Sequence, residues 1–205
     1  MKLAITIRPA KAPLRANSRR SARRAGVSHA APAHHFGDVT GLLTEVAIDA
    51  FHRLAASMKR QISKAEAGTV EHPVAAALGY VLFAIDSPAE FTLMFRTERL
   101  DVSRPDLRAA GDGALAQAVG AVAAYYRSAN PMADPVMTRR VLGLWSLAQG
   151  LATLMIAGQL GPLEQGDKIA RALLPDMVRE MFGAAAHNDA KDLKFIARTS
   201  EGQRA

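Results

Sequence analysis

Apolar side chains recur at spacings of three and four residues through most of the chain, which is the pattern of α-helices. The clearest run comprises Leu42, Leu43, Val46, Ala47, Ala50, Phe51, Leu54, Ala55 and Met58. Apolar, Ala-rich stretches bounded by Gly, Pro or Asp predict further helices at residues 74–86, 89–95, 105–127, 134–158 and 163–182. Because no alternating strand pattern appears, the sequence predicts an all-α fold.

The first part of the chain has a different organisation. Residues 1–17 contain two prolines and no apolar stripe, so we expect them to be irregular. An Ala- and Arg-rich stretch from Ser18 to Ala25 favours a short helix, which Gly26 ends. Ser28 is suited to cap a second short helix over residues 29–35. Two short helices joined by a tight glycine turn are typical of a helix-turn-helix, whose second helix enters the major groove of DNA.

Positive charge is concentrated around this motif. The chain has a net charge of +7, yet residues 1–36 hold eight basic side chains and no acidic one. The remaining residues hold 18 basic and 19 acidic side chains and are nearly neutral. A basic segment on a neutral body indicates a polyanionic partner, and four of the eight cations stand directly before the turn: Arg19, Arg20, Arg23 and Arg24.

At these residues the chain resembles the TetR family of transcriptional repressors. The turn reads Ala25-Gly26-Val27-Ser28, and the second helix ends in His34-His35-Phe36. Residues 83–91 (FAIDSPAEF) and 144–151 (LWSLAQGL) resemble the C-terminal domain of a subgroup named for a Trp-His-Gly signature, which this chain matches only in part.

The resemblance implies a homodimer that binds double-stranded operator DNA. A small apolar effector would occupy each helical body, and the last two long helices would form the dimer interface. Effector binding would then change the spacing of the two heads and release the operator. The implied domains are a DNA-binding head at residues 1–58, a ligand-binding and dimerisation domain at 59–186, and a polar tail at 187–205.

Candidate site residues follow from the motif and from the body. For DNA contact they are Arg19, Arg20, Arg23, Arg24, Ser28, His29, Ala30, Pro32, His34, His35 and Thr40. For a ligand pocket they are Phe83, Asp86, Phe91, Met94, Phe95, Trp145, Gln149 and Met155, although apolar residues at helical spacing can equally be plain core. The clustered histidines have no carboxylate or cysteine at ligand spacing, so no metal site is expected.

The head departs from the family pattern in several places. Residues 1–17 offer no amphipathic first helix, and the helix before the turn has Ser18 and Ser21 where bulky apolar residues are usual. Ala33 replaces an aromatic residue, and Val39 replaces a phosphate-binding lysine. A small head that lacks several core side chains is weakly stabilised. The sequence therefore predicts a regulator with an atypical or weakened head; the alternative is a helical dimer that binds a ligand or partner but no specific operator.

Other functional classes have little support. The chain has no cysteine, phosphate-binding glycine loop, metalloprotease motif or nucleophile elbow, so we expect neither an enzyme nor a cofactor. Val141–Leu163 is uncharged and long enough to span a bilayer. Its Ser, Thr and Gln residues and its Gly-Pro end favour a helix in a protein interface instead. We therefore expect a cytoplasmic protein without a membrane span.

Overall fold

The structure, a computed structural model, describes residues 39–160 and 167–183. The predicted helix-turn-helix, the basic residues before it and the tail from residue 187 lie outside the described residues. Within them the chain forms six α-helices, two short 3-10 helices and no strand, which confirms the all-α prediction. The α-helices are α1 (Val39–Ile62), α2 (Glu71–Asp86), α3 (Pro88–Met94), α4 (Pro105–Tyr126), α5 (Pro135–Ile156) and α6 (Asp167–Gly183).

Helix boundaries follow local residue chemistry. The carboxylate of Asp134 accepts hydrogen bonds from the backbone N–H groups of Val136 (2.7 Å) and Met137 (3.3 Å), which caps α5 at its N-terminus. Proline occupies the first position of α3, α4 and α5, where its missing N–H costs least. Arg127 adopts the left-handed conformation that ends α4.

Helix α2 is the centre of the fold and contacts all five other helices. Its sequence is apolar on every side, and 11 of its 16 residues are buried, as expected for a helix surrounded by others. The main core includes Leu54 of α1, Val81 of α2, Val122 of α4, Leu144 of α5 and Leu174 of α6, each 1% exposed or less. The other five α-helices therefore pack around α2 to form one helical body.

Two details differ from the sequence-based expectations. Val46, assigned to the apolar stripe of α1, is 37% exposed, whereas Thr44 and Ser57 on the same helix are buried. Moreover, the uncharged stretch Val141–Leu163 is not one helix, because α5 ends at Ile156 and Gly158 follows with a positive φ of 64°. Within the described ranges, no single helix combines the length and hydropathy needed to cross a bilayer; only α2 and α3 together meet that criterion, and they are bent by 111°.

Candidate functional site: an apolar cavity between four helices

An apolar cavity lies between α1, α2, α4 and α5. Its empty space is about 450 Å³ when the open mouth and the adjoining solvent are included. The cavity is lined by Phe51, Leu54, Met58, Ala76, Ala77, Tyr80, Phe95, Gly111, Ala114, Leu115, Ala118, Leu144, Trp145 and Ala148. None of these side chains carries a charge, so the walls favour an apolar, uncharged molecule.

Small residues create this space. Six of the fourteen lining residues are alanine or glycine, and they face one another from α2, α4 and α5. A Cβ atom at Gly111 would have only the ring of Phe51 nearby, at 3.8 Å, which shows that α4 is not tightly packed there. Helices that meet through short side chains leave room that larger side chains would fill.

The cavity is bounded on one side by a very close approach of α1 to α2. A Cβ atom at Gly79 would lie 2.5 Å from Met58 Cα and 2.8 Å from the backbone oxygen of Ser57, so only glycine fits. At the same point the Ser57 hydroxyl donates a hydrogen bond of 2.9 Å to the Gly79 carbonyl. This crossing fixes the distance between Met58 and the α2 residues that line the cavity.

A chain of aromatic contacts closes another side. Phe95 lies edge-on to Phe51 (ring centroids 6.1 Å apart) and to Phe91 (5.2 Å). Phe91 in turn lies edge-on to Tyr80 at 5.6 Å. These geometries are favourable for aromatic pairs. They hold Tyr80 and Phe95 in place on either side of the buried Phe91.

Tyr80 supplies the main polar atom of the cavity wall. Its hydroxyl donates a hydrogen bond to Gln149 Oε1 on α5 and also interacts with the side chain of Trp145. Burial raises the pKa of Tyr80 to about 12, and the hydrogen bond with Trp145 partly opposes this effect. The phenol therefore stays protonated at neutral pH and acts as a hydrogen-bond donor.

The mouth of the cavity combines aromatic and polar groups. A shallow depression lined by Phe95, Trp145, Ser146 and Gln149 shares its two aromatic residues with the cavity and adjoins it. Phe95 and Trp145 are 36% and 37% exposed, so both reach from the cavity to the solvent. Gln149 of this depression accepts the hydrogen bond from Tyr80, which lines the cavity.

The residues expected to form a pocket are distributed over three environments. Phe95 and Trp145 line the cavity, and Gln149 lies at its mouth and contacts Tyr80. Phe83, Phe91 and Met94 are buried in the core outside the lining, and Met155 is half-buried against that core. Asp86 is exposed at the end of α2.

Of the residues expected to contact DNA, only Thr40 is described. It lies exposed in the first turn of α1, and its carbonyl accepts a hydrogen bond of 2.7 Å from the hydroxyl of Thr44. The other ten lie outside the described residues, so their roles stay predictions.

Sequence reasoning did not single out Tyr80, although a signal was present. From Pro73 to Ile85, Tyr80 is the only residue with a polar side-chain atom in an otherwise apolar run. A hydroxyl in a helix that is buried on all sides needs a partner, which here is Gln149.

The N-terminal part of α1 is tied to the loop before α4. Arg104 forms an ion pair with Glu45 at 2.6 Å and a second with Asp106. The Arg104 guanidinium lowers the pKa of the Asp106 carboxyl by hydrogen bonding to it. Fully buried Thr44 accepts a hydrogen bond of 2.9 Å from the backbone N–H of Asp101. The beginning of α1 is thus attached to the same body that contains the cavity.

Comparisons with known proteins agree with this architecture. The chain matches the model of a tetracyclin repressor-like C-terminal domain over residues 74–177, a range that includes most of α2, all of α3 to α5 and both stretches noted in the sequence. No curated protein sequence matches significantly.

Two solved structures share the fold. A protein of unknown function from Rhodococcus sp. RHA1 is 29% identical, with a TM-score of 0.64, and the alignment covers 80% of this chain and 83% of that one. A structure described as that of a regulatory protein, SCO4313, is 22% identical, with a TM-score of 0.59 and coverage of 79% and 84%. Because the family model spans half of the chain, and the fold agrees with it, the chain belongs to the TetR family of regulators.

Proposed function

We propose that the chain is a ligand-responsive, DNA-binding repressor that acts as a homodimer, with the apolar cavity as its effector site. One observation carries the proposal: α1, which begins at Val39 directly after the residues predicted to form the helix-turn-helix, lines the cavity with Phe51, Leu54 and Met58. A single helix therefore runs from the end of the predicted motif to the cavity wall. A ligand that displaces those side chains also displaces the helix that carries the head.

Exposed apolar side chains on the last two helices support the dimer. Leu142 and Leu154 on α5 are 50% and 40% exposed, and Leu173 and Met177 on α6 are 47% and 40% exposed. Exposed apolar residues on these helices are candidates for a surface that a partner covers. A second copy of the chain is the occupant that this family favours.

The chemistry of the motif supports DNA as the partner. The cations before the turn can reach phosphates, while His29 and Ala30 begin the helix that would read base edges. Phosphate contacts give affinity that falls steeply with salt, whereas base contacts give sequence preference. The two contributions can therefore be measured separately.

The test is a titration of the full chain with its own promoter fragment and with a scrambled fragment, at a low and a moderate salt concentration. We expect the promoter preference to persist at moderate salt. Arg23→Ala should weaken binding, whereas Arg108→Ala, which removes an equal charge from the exposed surface of α4, should not. Equal affinity for both fragments, lost at moderate salt, would refute an operator-specific regulator and favour the dimer that binds no operator.

A matched variant tests the weakened head. Replacing Met1 to Asn17 with a well-formed amphipathic helix should strengthen promoter binding if the native segment leaves the head poorly supported. Unchanged binding in that variant would show that the head does not depend on such a helix.

A further inference from the structure

The cavity contains one polar anchor in an otherwise apolar wall. Tyr80 is 6% exposed, and its hydroxyl donates to Gln149 Oε1, while Trp145 interacts with the same hydroxyl. The three side chains come from two helices, α2 and α5, and meet where the cavity opens to its mouth. Neutral hydrogen-bonding groups at one end of an apolar space recognise a ligand with a matching polar end.

We propose that Tyr80 and Gln149 select an uncharged, largely apolar effector that carries a single hydroxyl or carbonyl group at one end. The apolar part lies among the alanine and glycine residues of α2 and α4, and the polar group reaches the Tyr80–Gln149 pair. This inference rests on the proposed role of the cavity as the effector site.

The charges around the cavity argue against ionic ligands. No Lys, Arg, His, Asp or Glu belongs to the cavity lining that the structure describes. Arg53 of α1 hydrogen-bonds to the Ser87 hydroxyl at 2.7 Å and lies 5.5 Å from the centre of the Phe83 ring, and neither partner belongs to the lining. A carboxylate in the cavity would lose its hydration without gaining a counter-charge.

A ligand with a neutral polar group gains a hydrogen bond at this site that a pure hydrocarbon cannot form. The Tyr80 hydroxyl donates to Gln149 Oε1 and accepts from Trp145, so the Gln149 amide nitrogen is the group of this cluster that can donate to a ligand oxygen. A ligand hydroxyl or carbonyl at the mouth therefore completes the hydrogen bonds of a partly buried pair. One such bond corresponds to roughly a tenfold gain in affinity.

The experiment uses three ligands of one shape: 4-propylphenol, propylbenzene and 4-propylbenzoate. Binding to the full chain is followed by the fluorescence of Trp145, the only tryptophan in the sequence, and by calorimetry. We expect the phenol to bind about tenfold more tightly than propylbenzene, and the carboxylate to bind most weakly at neutral pH.

Variants then test whether Tyr80 and Gln149 cause the preference for the phenol. Tyr80→Phe and Gln149→Leu should each remove most of the preference for the phenol over propylbenzene while propylbenzene still binds. Gly111→Leu should abolish all binding, because its side chain grows toward Phe51 into the cavity. Gly113→Leu is the matched control on the same helix: it has no atom within 4 Å, lies outside the lining, and should bind as the unmodified chain does.

Three results would overturn the proposal: an unchanged phenol preference in Tyr80→Phe, tightest binding of the carboxylate, or no binding of any of the three. None of them bears on the promoter titration, which tests the proposed DNA-binding function without a ligand. Conversely, a preference for the phenol without a preference for the promoter would support the Tyr80–Gln149 anchor and refute the proposed operator-specific regulator.

Discussion

The close crossing of α1 and α2 makes Gly79→Ala the sharpest test of the packing. The added methyl carbon would lie 2.5 Å from Met58 Cα and 2.9 Å from Met58 N. These are atoms of a helix backbone, so they cannot rotate aside as a side chain can. Carbon atoms pack at about 3.5–4.0 Å, which requires the two helices to separate by about 1 Å.

The magnitude follows from three contributions. Overpacking of this kind costs about 1–3 kcal/mol. Separation by about 1 Å also breaks the 2.9 Å hydrogen bond from Ser57 to the Gly79 carbonyl, and an unsatisfied buried group costs about 1–3 kcal/mol. Alanine returns about 0.5–1 kcal/mol through its higher helix propensity. The net expected loss in the free energy of unfolding is therefore about 1–5 kcal/mol.

The assay is thermal and urea denaturation followed by circular dichroism, at one protein concentration because the proposed dimerisation would contribute to stability. A loss of about 1–5 kcal/mol lowers the Tm by roughly 2–20 °C for a chain of this size. Gly113→Ala on α4 is the control: nothing lies within 4 Å of its Cβ position, so it should raise stability by about 0.5–1 kcal/mol. Equal stability of the two variants would show that α1 and α2 do not require this crossing, and the reasoning would fail.

Three further predictions concern single side chains. Thr44→Val keeps the shape of a buried residue but leaves the Asp101 N–H without its acceptor, so the free energy of unfolding should fall by about 1–3 kcal/mol. Thr92→Val is the control, because it removes an exposed hydroxyl bonded only within α3, and it should leave the free energy of unfolding nearly unchanged. Burial raises the pKa of Tyr80 to about 12, so the unfolded chain releases this proton at lower pH than the folded one. Stability should therefore fall as the pH rises from about 10 to about 12, and Tyr80→Phe should lose that part of the pH dependence. An identical profile of stability against pH in the variant would contradict this prediction. Leu173→Glu should convert the proposed homodimer to monomers in sedimentation analysis. Val102→Glu, at an exposed apolar site outside the last two helices, should not.

The helices of the body could be predicted from the sequence because their signals are local. The cap at Asp134 and the prolines at helix starts act within one turn, so α4 and α5 lie within two residues of their predicted limits. Thr44 is a residue whose burial cannot be predicted from local signals. A polar residue in α1 is expected to face solvent, yet Thr44 is buried because it donates to Thr40 and accepts from Asp101, 57 residues along the chain. The contact with Asp101 can be recognised only in the folded structure, where the loop before α4 packs against α1.

The cavity could not be predicted for a more general reason. Sequence reasoning selected large apolar side chains such as Phe83, Phe91 and Met94, but in a close-packed interior large side chains fill space and therefore belong to the core. A cavity forms where small residues of different helices face one another, and the sequence contains many more alanines than the few that do so here. Which of them meet depends on the angle and distance at which the helices cross. In this protein one determinant of that geometry is the absence of a side chain at Gly79, so the residue that shapes the cavity wall is not itself part of the lining.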